Sequence, residues 1–319
     1  MTVLELAAAN LASPPVLFFF LGALAVALRS DLELPEATRR WLALYLLFAI
    51  GMKGGVALRS DEVAQAVPVL LAAMAMSATF PVAWFFVLKK RIGTATAAGV
   101  AASYGSISAV TFVTAVAWLE RLELDYGGEL VAAMALMEWP AIVVAILLYR
   151  SSEGKGARPW PILREALVNG SVLLILGSLV VGFIAGPERA KPLEPFYMGI
   201  FTGMLTFFLL DMGMVAARRL GDLRGRGLYL LIFGLTAPLA GAVVGIALAW
   251  LLGLAPGDAL LFTVLAASAS YIAVPAAMRM AIPDANPGVF IPLALGVTFP
   301  LNVVVGLPLY LGIIQRLWP

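Results

Sequence analysis

Apolar residues run along this chain in long blocks, not in the alternation of half-buried strands or the narrow stripe of a soluble helix. The blocks fall at 15–28, 41–58, 67–88, 94–119, 128–149, 168–185, 196–217, 228–252, 259–278 and 289–314. Short polar stretches separate them. A helix needs about 20 apolar residues to cross a bilayer. The pattern therefore predicts an all-α polytopic membrane protein of ten transmembrane helices, several shortened or interrupted by Gly and Pro. The first block, PVLFFFLGALAVAL, has no basic segment before it and is followed by Arg29, Arg39 and Arg40. That order predicts a retained helix, not a cleaved leader.

Composition sharpens the class. Of 319 residues, 62% are apolar and 13% charged, against about 45–50% and about 25% in soluble domains. One soluble core does not hide so much apolar surface. Cysteine and histidine are both absent. This excludes disulfides, thiolate chemistry, Ser-His triads and His-ligated metals. Net charge is only +2, but the basic residues divide unevenly over the loops: five on one side, fifteen on the other, with Lys53 inside a span. The rich side includes Lys89, Lys90, Arg91, Arg218, Arg219, Arg224 and Arg226. The bias predicts that this side is cytoplasmic and that both termini are extracytoplasmic. No stretch reads as a soluble domain. Residues 151–165 read as a short basic cytoplasmic linker between residues 1–150 and 166–319. GKGARP within it lacks the spacing of a phosphate loop, and no nucleotide or nucleic-acid site is expected.

The two halves resemble each other in order. FFFLGAL (18–24) answers LLILGSL (173–179), pairing Gly22 with Gly177, and VALR (56–59) answers VAAR (215–218). Thr79-Phe80-Pro81 answers Thr236-Ala237-Pro238, Ser106-Ile107-Ser108 answers Ser268-Ala269-Ser270, and Glu138-Trp139-Pro140 answers Thr298-Phe299-Pro300. The offsets are 155, 159, 157, 162 and 160 residues. Five helices is an odd number, so the second repeat is expected upside down relative to the first. Inverted repeats mark secondary transporters, because two opposed but similar halves give inward- and outward-open states of comparable energy.

Small polar residues gather in the fourth and ninth blocks: Ser103, Gly105, Ser106, Ser108, Thr111 and Thr114, then Ser268, Ser270, Tyr271 and Pro275. Helices broken there expose free N–H groups and positive dipole ends at the midplane, enough for a compact anion site. The plainer reading is that these hydroxyls bond back to their own helices or allow close packing. Glu138 lies two residues before a helix-breaking proline, Pro140. It reads either as a coupling-ion ligand or proton acceptor, or as a structural hydrogen-bonding group. Thr298 and Asn302, at the corresponding place in the tenth helix, are candidate oxygen ligands for a hard cation such as Na+. Lys53 and Asp211, in the equivalent second and seventh helices, read as structural charges that snorkel or pair.

On IGMKGGVALR (50–59), YGSISAVTF (104–112), LMEWPAIV (136–143), LLDMGM (209–214) and ASASYIAVPAAMRMAIPDANP (266–286), nearly the whole chain resembles the sodium-dependent bicarbonate permease family (SbtA type). The resemblance implies two inverted five-helix repeats, with a core domain of helices 3–5 and 8–10 and a gate domain of helices 1, 2, 6 and 7. It further implies a homotrimer in the bacterial inner membrane, an elevator-like movement, and a small-anion site between the breaks of helices four and nine. Gly105, Ser106, Ser108, Thr111, Ser268, Ser270 and Tyr271 are the expected substrate contacts, with no cofactor beyond Na+ as coupling ion. The chain departs from the cyanobacterial pattern. Tyr271 and Ala273 stand where that pattern has aspartate and serine, and Ser108-Ala109-Val110-Thr111 replaces Ser-Gly-Ser-Thr. The linker is shorter too, which argues against a PII-like regulatory partner. The leading expectation is sodium-coupled bicarbonate uptake. The rivals are a carrier of larger monocarboxylate-type anions, with proton or sodium coupling, and a membrane sensor or scaffold that binds without transporting. An intramembrane enzyme is disfavoured by the missing histidine and by the lack of a second intramembrane aspartate beside Asp211.

Overall fold

A computed structural model describes residues 3–58, 63–154, 170–222 and 227–318. Among these the chain is all-helical, with no strand. Most of the 151–165 linker, together with Arg59, Arg224 and Arg226, lies outside the described residues. In chain order the helices are α1 (Val3–Leu11), α2 (Pro14–Ala27), α3 (Glu36–Ala57), α4 (Val63–Ile92), α5 (Thr94–Gly105), α6 (Ala109–Arg121) and α7 (Glu129–Ser152). There follow α8 (Gly170–Ala190), α9 (Phe201–Asp222), α10 (Leu228–Leu251), α11 (Pro256–Ala267), α12 (Ala273–Ala281) and α13 (Pro287–Leu317). The last is interrupted by two π-helical stretches, at Leu293–Thr298 and Asn302–Gly306.

Each of the ten apolar blocks contains helix, but fewer than ten helices are long enough to span by themselves. Eight qualify among the described residues, and a ninth if α1 and α2, bent by 64° at Ala12–Ser13, count as one span. The shortfall lies in the first and ninth blocks. Pro14 and Pro15 start α2 afresh and leave it 14 residues, while the ninth block is cut into α11 and α12, of 12 and 9 residues. Helix α1 precedes every apolar block recognised in the sequence. It packs on α13, where the buried Asn10 donates Nδ2–H to the Val303 carbonyl at 2.6 Å. Val303 sits in a π-helical stretch, where the normal i→i−4 ladder is out of step and carbonyls become available to outside donors.

Two helix pairs cross at close range: α2 with α9, and α3 with α8. A Cβ at Gly22 would overlap the Leu210 carbonyl oxygen, and one at Gly213 the Phe19 carbonyl oxygen. In the other pair, a Cβ at Gly55 would overlap the Leu179 carbonyl oxygen and one at Gly182 would press on the Met52 carbonyl oxygen. Without side chains here the backbones approach closely, which is how helices associate where lipid removes the hydrophobic drive. Gly22, Gly55, Gly182 and Gly213 are thus the contact glycines of the two crossings. Gly177, paired with Gly22 by string similarity, has nothing within 4 Å of its would-be Cβ. Around these pairs, α4 packs on α5 and α7, and α10 packs on α11.

Cross-links between loops define the two ends of the bundle. At the basic end Thr94 donates to Glu153 at 2.8 Å, and Arg91 lies over the Tyr229 ring. At the other end the Gly127 N–H meets Asp258 at 2.6 Å, Trp318 donates Nε1–H to the Leu254 carbonyl, and Arg121 donates to the Ala9 carbonyl of α1. Helix α1 and Trp318 thus share the end away from the basic loops.

Gly213→Leu should force α2 and α9 apart, with the cost of overpacking, about 1–3 kcal/mol or more. Gly177→Leu should be silent. Thermal unfolding of both variants in detergent, followed by size-exclusion chromatography, checks the contrast.

Candidate functional site

The fourth block loses its helix at Ser106–Ser108 and the ninth at Ser268–Ile272. The two breaks touch. The Ser108 backbone N–H donates to Ser268 Oγ at 2.9 Å, and the Ser270 N–H donates to the Ser103 carbonyl at 2.8 Å. Each break supplies what the other lacks, since an interrupted helix leaves orphan donors on one side and orphan acceptors on the other. Ser108 also caps α6: its Oγ accepts from the Thr111 N–H at 3.2 Å and from the Thr111 hydroxyl at 2.9 Å. Ser103 and Ser106 are buried with hydroxyls that find no partner among the described residues.

A small cleft opens beside this crossing. The breaks contribute Ile107, Ser108, Ala109, Ser270, Tyr271 and Ile272, α7 contributes Met134, Ala135 and Glu138, and Leu47 of α3 and Ile175 of α8 close the far wall. The cleft thus lies between the broken helices and the α3–α8 pair. Tyr271 reaches across it. Its hydroxyl is within reach of Ser108 and donates to Met212 Sδ at 3.7 Å, and its ring packs edge-on against Phe299. Glu138 is half-buried, and its Oε2, shielded from solvent, has no hydrogen-bond partner among the described residues. Beside it, Ser77 inserts into α7, donating to the Met137 carbonyl at 2.5 Å and accepting from the Ala141 N–H at 3.2 Å. Ser77 thereby supports the turn that Pro140 weakens by removing a ladder donor.

Of the substrate candidates, Ser108, Ser270 and Tyr271 line the cleft. Ser268 holds the crossing together, Thr111 stands one turn inside α6, and Gly105 and Ser106 end α5. The cation candidates do not come together. Thr298 donates to the Gly234 carbonyl at 2.8 Å and accepts from Tyr104 at 2.6 Å. Gly234 lies four residues before Pro238, so its carbonyl has lost its ladder donor and Thr298 replaces it. Asn302 donates to the Ala267 carbonyl at the end of α11 at 2.8 Å and accepts from Tyr310 at 2.9 Å. Neither residue lines the cleft with Glu138, and each has a structural bond that sequence spacing alone does not reveal. No group of three or more acidic side chains suited to a metal ion occurs among the described residues. Lys53 is paired with Glu120, and Asp211 with Arg39 at 2.7 Å. The sequence reading missed Ser77 and Tyr104. Their signal was present, for each is a polar group within an apolar block that contains, or packs against, an intrahelical proline.

Apolar helices of spanning length, two of the ten blocks broken where they meet, and a buried cleft at that meeting describe a multi-pass membrane carrier. A family model identifies which kind: the chain belongs to the Na+-dependent bicarbonate transporter superfamily, matched over residues 14–315. It is a transporter, not an enzyme. Membership carries a small-anion substrate, a lipid-bilayer setting and Na+ as the family's coupling ion. No curated protein matches the chain.

Thr298→Val should strand the Gly234 carbonyl and the Tyr104 hydroxyl, costing about 1–3 kcal/mol for each buried group left unpaired. Thr298→Ser should restore most of that. Melting temperatures of the two purified variants against the parent provide the measurement.

Proposed function

We propose that this protein takes up bicarbonate by sodium-coupled, elevator-like alternation of two inverted five-helix repeats. The observation that carries the reading is the cleft at the crossed breaks, bounded by the broken helices on one side and by the α3–α8 pair on the other. In this reading residues 1–150 and 166–319 form the repeats, joined by the 151–165 linker, and ten spans result when each broken pair counts as one. Helices three to five and eight to ten form the moving core. Helices one, two, six and seven form the gate, and the basic end faces the cytoplasm.

Packing supports the repeat. Exchanging first-half for second-half helices turns the α2–α9 crossing into the α3–α8 crossing, and Gly22 with Gly213 into Gly182 with Gly55. Likewise Thr79 and Thr236, each two residues before a helix proline, donate to the carbonyls of Ala75 and Ile232 at 2.8 Å.

Ser108, Ser270 and the amides that open α6 and α12 would bind the anion, with Gly105, Ser106, Thr111, Ser268 and Tyr271 shaping the site. Glu138, with a free oxygen at the cleft, is the group that would take the coupling cation or proton and cancel its own repulsion of the anion. Thr298 and Asn302 act behind it as supports. Assembly as a homotrimer in the bacterial inner membrane, without a PII-like regulator, completes the proposal.

One observation favours a second reading. Leu47, Ile107, Ala109, Met134, Ala135, Ile175 and Ile272 make most of the cleft wall apolar, and Tyr271 stands where a carboxylate is expected. An organic monocarboxylate suits such a wall. A sensor that binds without moving its ligand would show saturable binding and no accumulation.

Labelled bicarbonate uptake into proteoliposomes, with an inward Na+ gradient or with K+ in its place, separates these readings. Sodium-driven accumulation is expected. A monocarboxylate series that outcompetes bicarbonate would replace the substrate. Ser270→Ala should lower uptake about tenfold, the loss of one hydrogen bond to a charged group being about 1.5–3 kcal/mol, with melting unchanged. Ser108→Ala should lower uptake similarly while also losing the α6 cap, about 1 kcal/mol of stability. In Glu138→Gln the remaining uptake should no longer depend on the cation. Unchanged uptake in both serine variants would move the site elsewhere.

A further inference from the structure

Lys53 and Asp211 hold repeat-related places with opposite signs, Asp211 following Lys53 by 158 residues. Lys53, on α3, is tied to Glu120 in the last turn of α6. Tyr126 backs this pair, its hydroxyl donating to Glu120 Oε1 at 3.2 Å and its ring lying 4.8 Å from Lys53 Nζ. Burial pushes the Tyr126 phenol well above its ordinary range, with the Glu120 charge adding to the effect, so it stays a donor. The pair joins a helix assigned to the gate to one assigned to the core, at the end away from the basic loops.

The residue 159 positions after Glu120 is Arg279, again of opposite sign and again in the last turn of the second half of a broken helix. The repeat-related partner of Lys53–Glu120 is therefore Asp211–Arg279, Arg279 standing at the basic end and Asp211 midway along α9. That pair is not formed here. Asp211, fully buried, bonds Arg39 through Oδ2, and its Oδ1 has no hydrogen-bond partner among the described residues. Arg279 is exposed and, among the described residues, has no carboxylate within ion-pair distance. The same end has a solvent-open groove lined by Arg39, Met212, Arg219, Tyr271, Ile272 and Leu295. One end is latched and the other is open.

We infer that Lys53–Glu120 and Asp211–Arg279 are alternating latches, and that Arg279 is a positioning residue that closes the basic end onto Asp211 in the opposite-facing state. Arg39 holds Asp211 meanwhile, and the free Oδ1 is the acceptor left for Arg279. The inference rests on the carrier reading above, because only repeat-related states exchange one pair for the other. A single latch would bias the carrier to one face; two of equal rank leave both faces populated, and only a substrate or ion that binds them differently shifts the balance.

The chain has no cysteine, so pairs can be introduced without background. Lys53→Cys/Glu120→Cys and Asp211→Cys/Arg279→Cys proteins in proteoliposomes are treated with a short bis-methanethiosulfonate linker. Both pairs should link, each stopping uptake until the linker is reduced. An Asp211→Cys/Arg279→Cys protein that transports yet never links overturns the inference. Where Asp211→Cys fails to fold, Arg279→Gln decides: linking of the first pair should rise in this background and turnover should fall, with melting unchanged and Arg279→Lys restoring both. Unchanged linking and turnover in Arg279→Gln also overturns it. If the unmodified protein accumulates none of the anions tested, the carrier reading fails first; uptake without the second link defeats the latch alone.

Discussion

An amide or carbonyl that loses its helical partner inside a bilayer has no water to turn to, and each such group is costly to leave unpaired. The organisation of this protein follows from where it breaks that rule and how it repairs the break. At the fourth and ninth blocks it interrupts two helices at one depth and sets the interruptions against each other, so that the Ser108 amide finds Ser268 and the Ser270 amide finds Ser103. Elsewhere the repair comes from single side chains. Thr298 serves the carbonyl orphaned by Pro238, Asn302 the end of α11, Ser77 the turn beside Pro140, and Asn10 a carbonyl of the π-helical stretch. Buried polar groups that a sequence reader takes for ligands are in several cases the means by which broken helices are tolerated at all.

The residues left over after that accounting are few, and they are the informative ones. Ser270 and Glu138 face a common cleft, and Glu138 keeps an oxygen that no described neighbour uses. Tyr271 and Ile272 line both this cleft and the opening at the basic end, so two adjacent side chains stand between them. Membership of the bicarbonate transporter superfamily gives this geometry its meaning. A positive field from helix ends suits an anion, and a nearby carboxylate suits an accompanying cation.

The helix framework was legible because hydrophobic blocks in a bilayer protein are set by thickness and composition, and both are written residue by residue. Span count was less so. Pro14 and Pro15 start α2 afresh, and α1 before them, only nine residues long, carries no block signal of its own. Motifs such as Thr79-Phe80-Pro81 and Thr236-Ala237-Pro238 carried the repeat reading, and the same string matching set Gly22 beside Gly177. A glycine's role in a crossing depends on which backbone passes over it: Gly22 and Gly182 each lie under one, and Gly177 does not.

By itself the sequence determined that this is a polytopic helical membrane protein, where its basic residues concentrate, and which two blocks bear paired serines. These properties follow from composition and order along the chain. Tertiary structure decided which polar groups are already satisfied: it committed Thr298 and Asn302 to backbone carbonyls, left Glu138 open, and gave Lys53 to Glu120 and Asp211 to Arg39. Whether a buried polar atom is a ligand or a strut depends on what lies within about 3 Å of it. In a bundle of crossed helices that neighbour comes from a part of the chain remote in sequence.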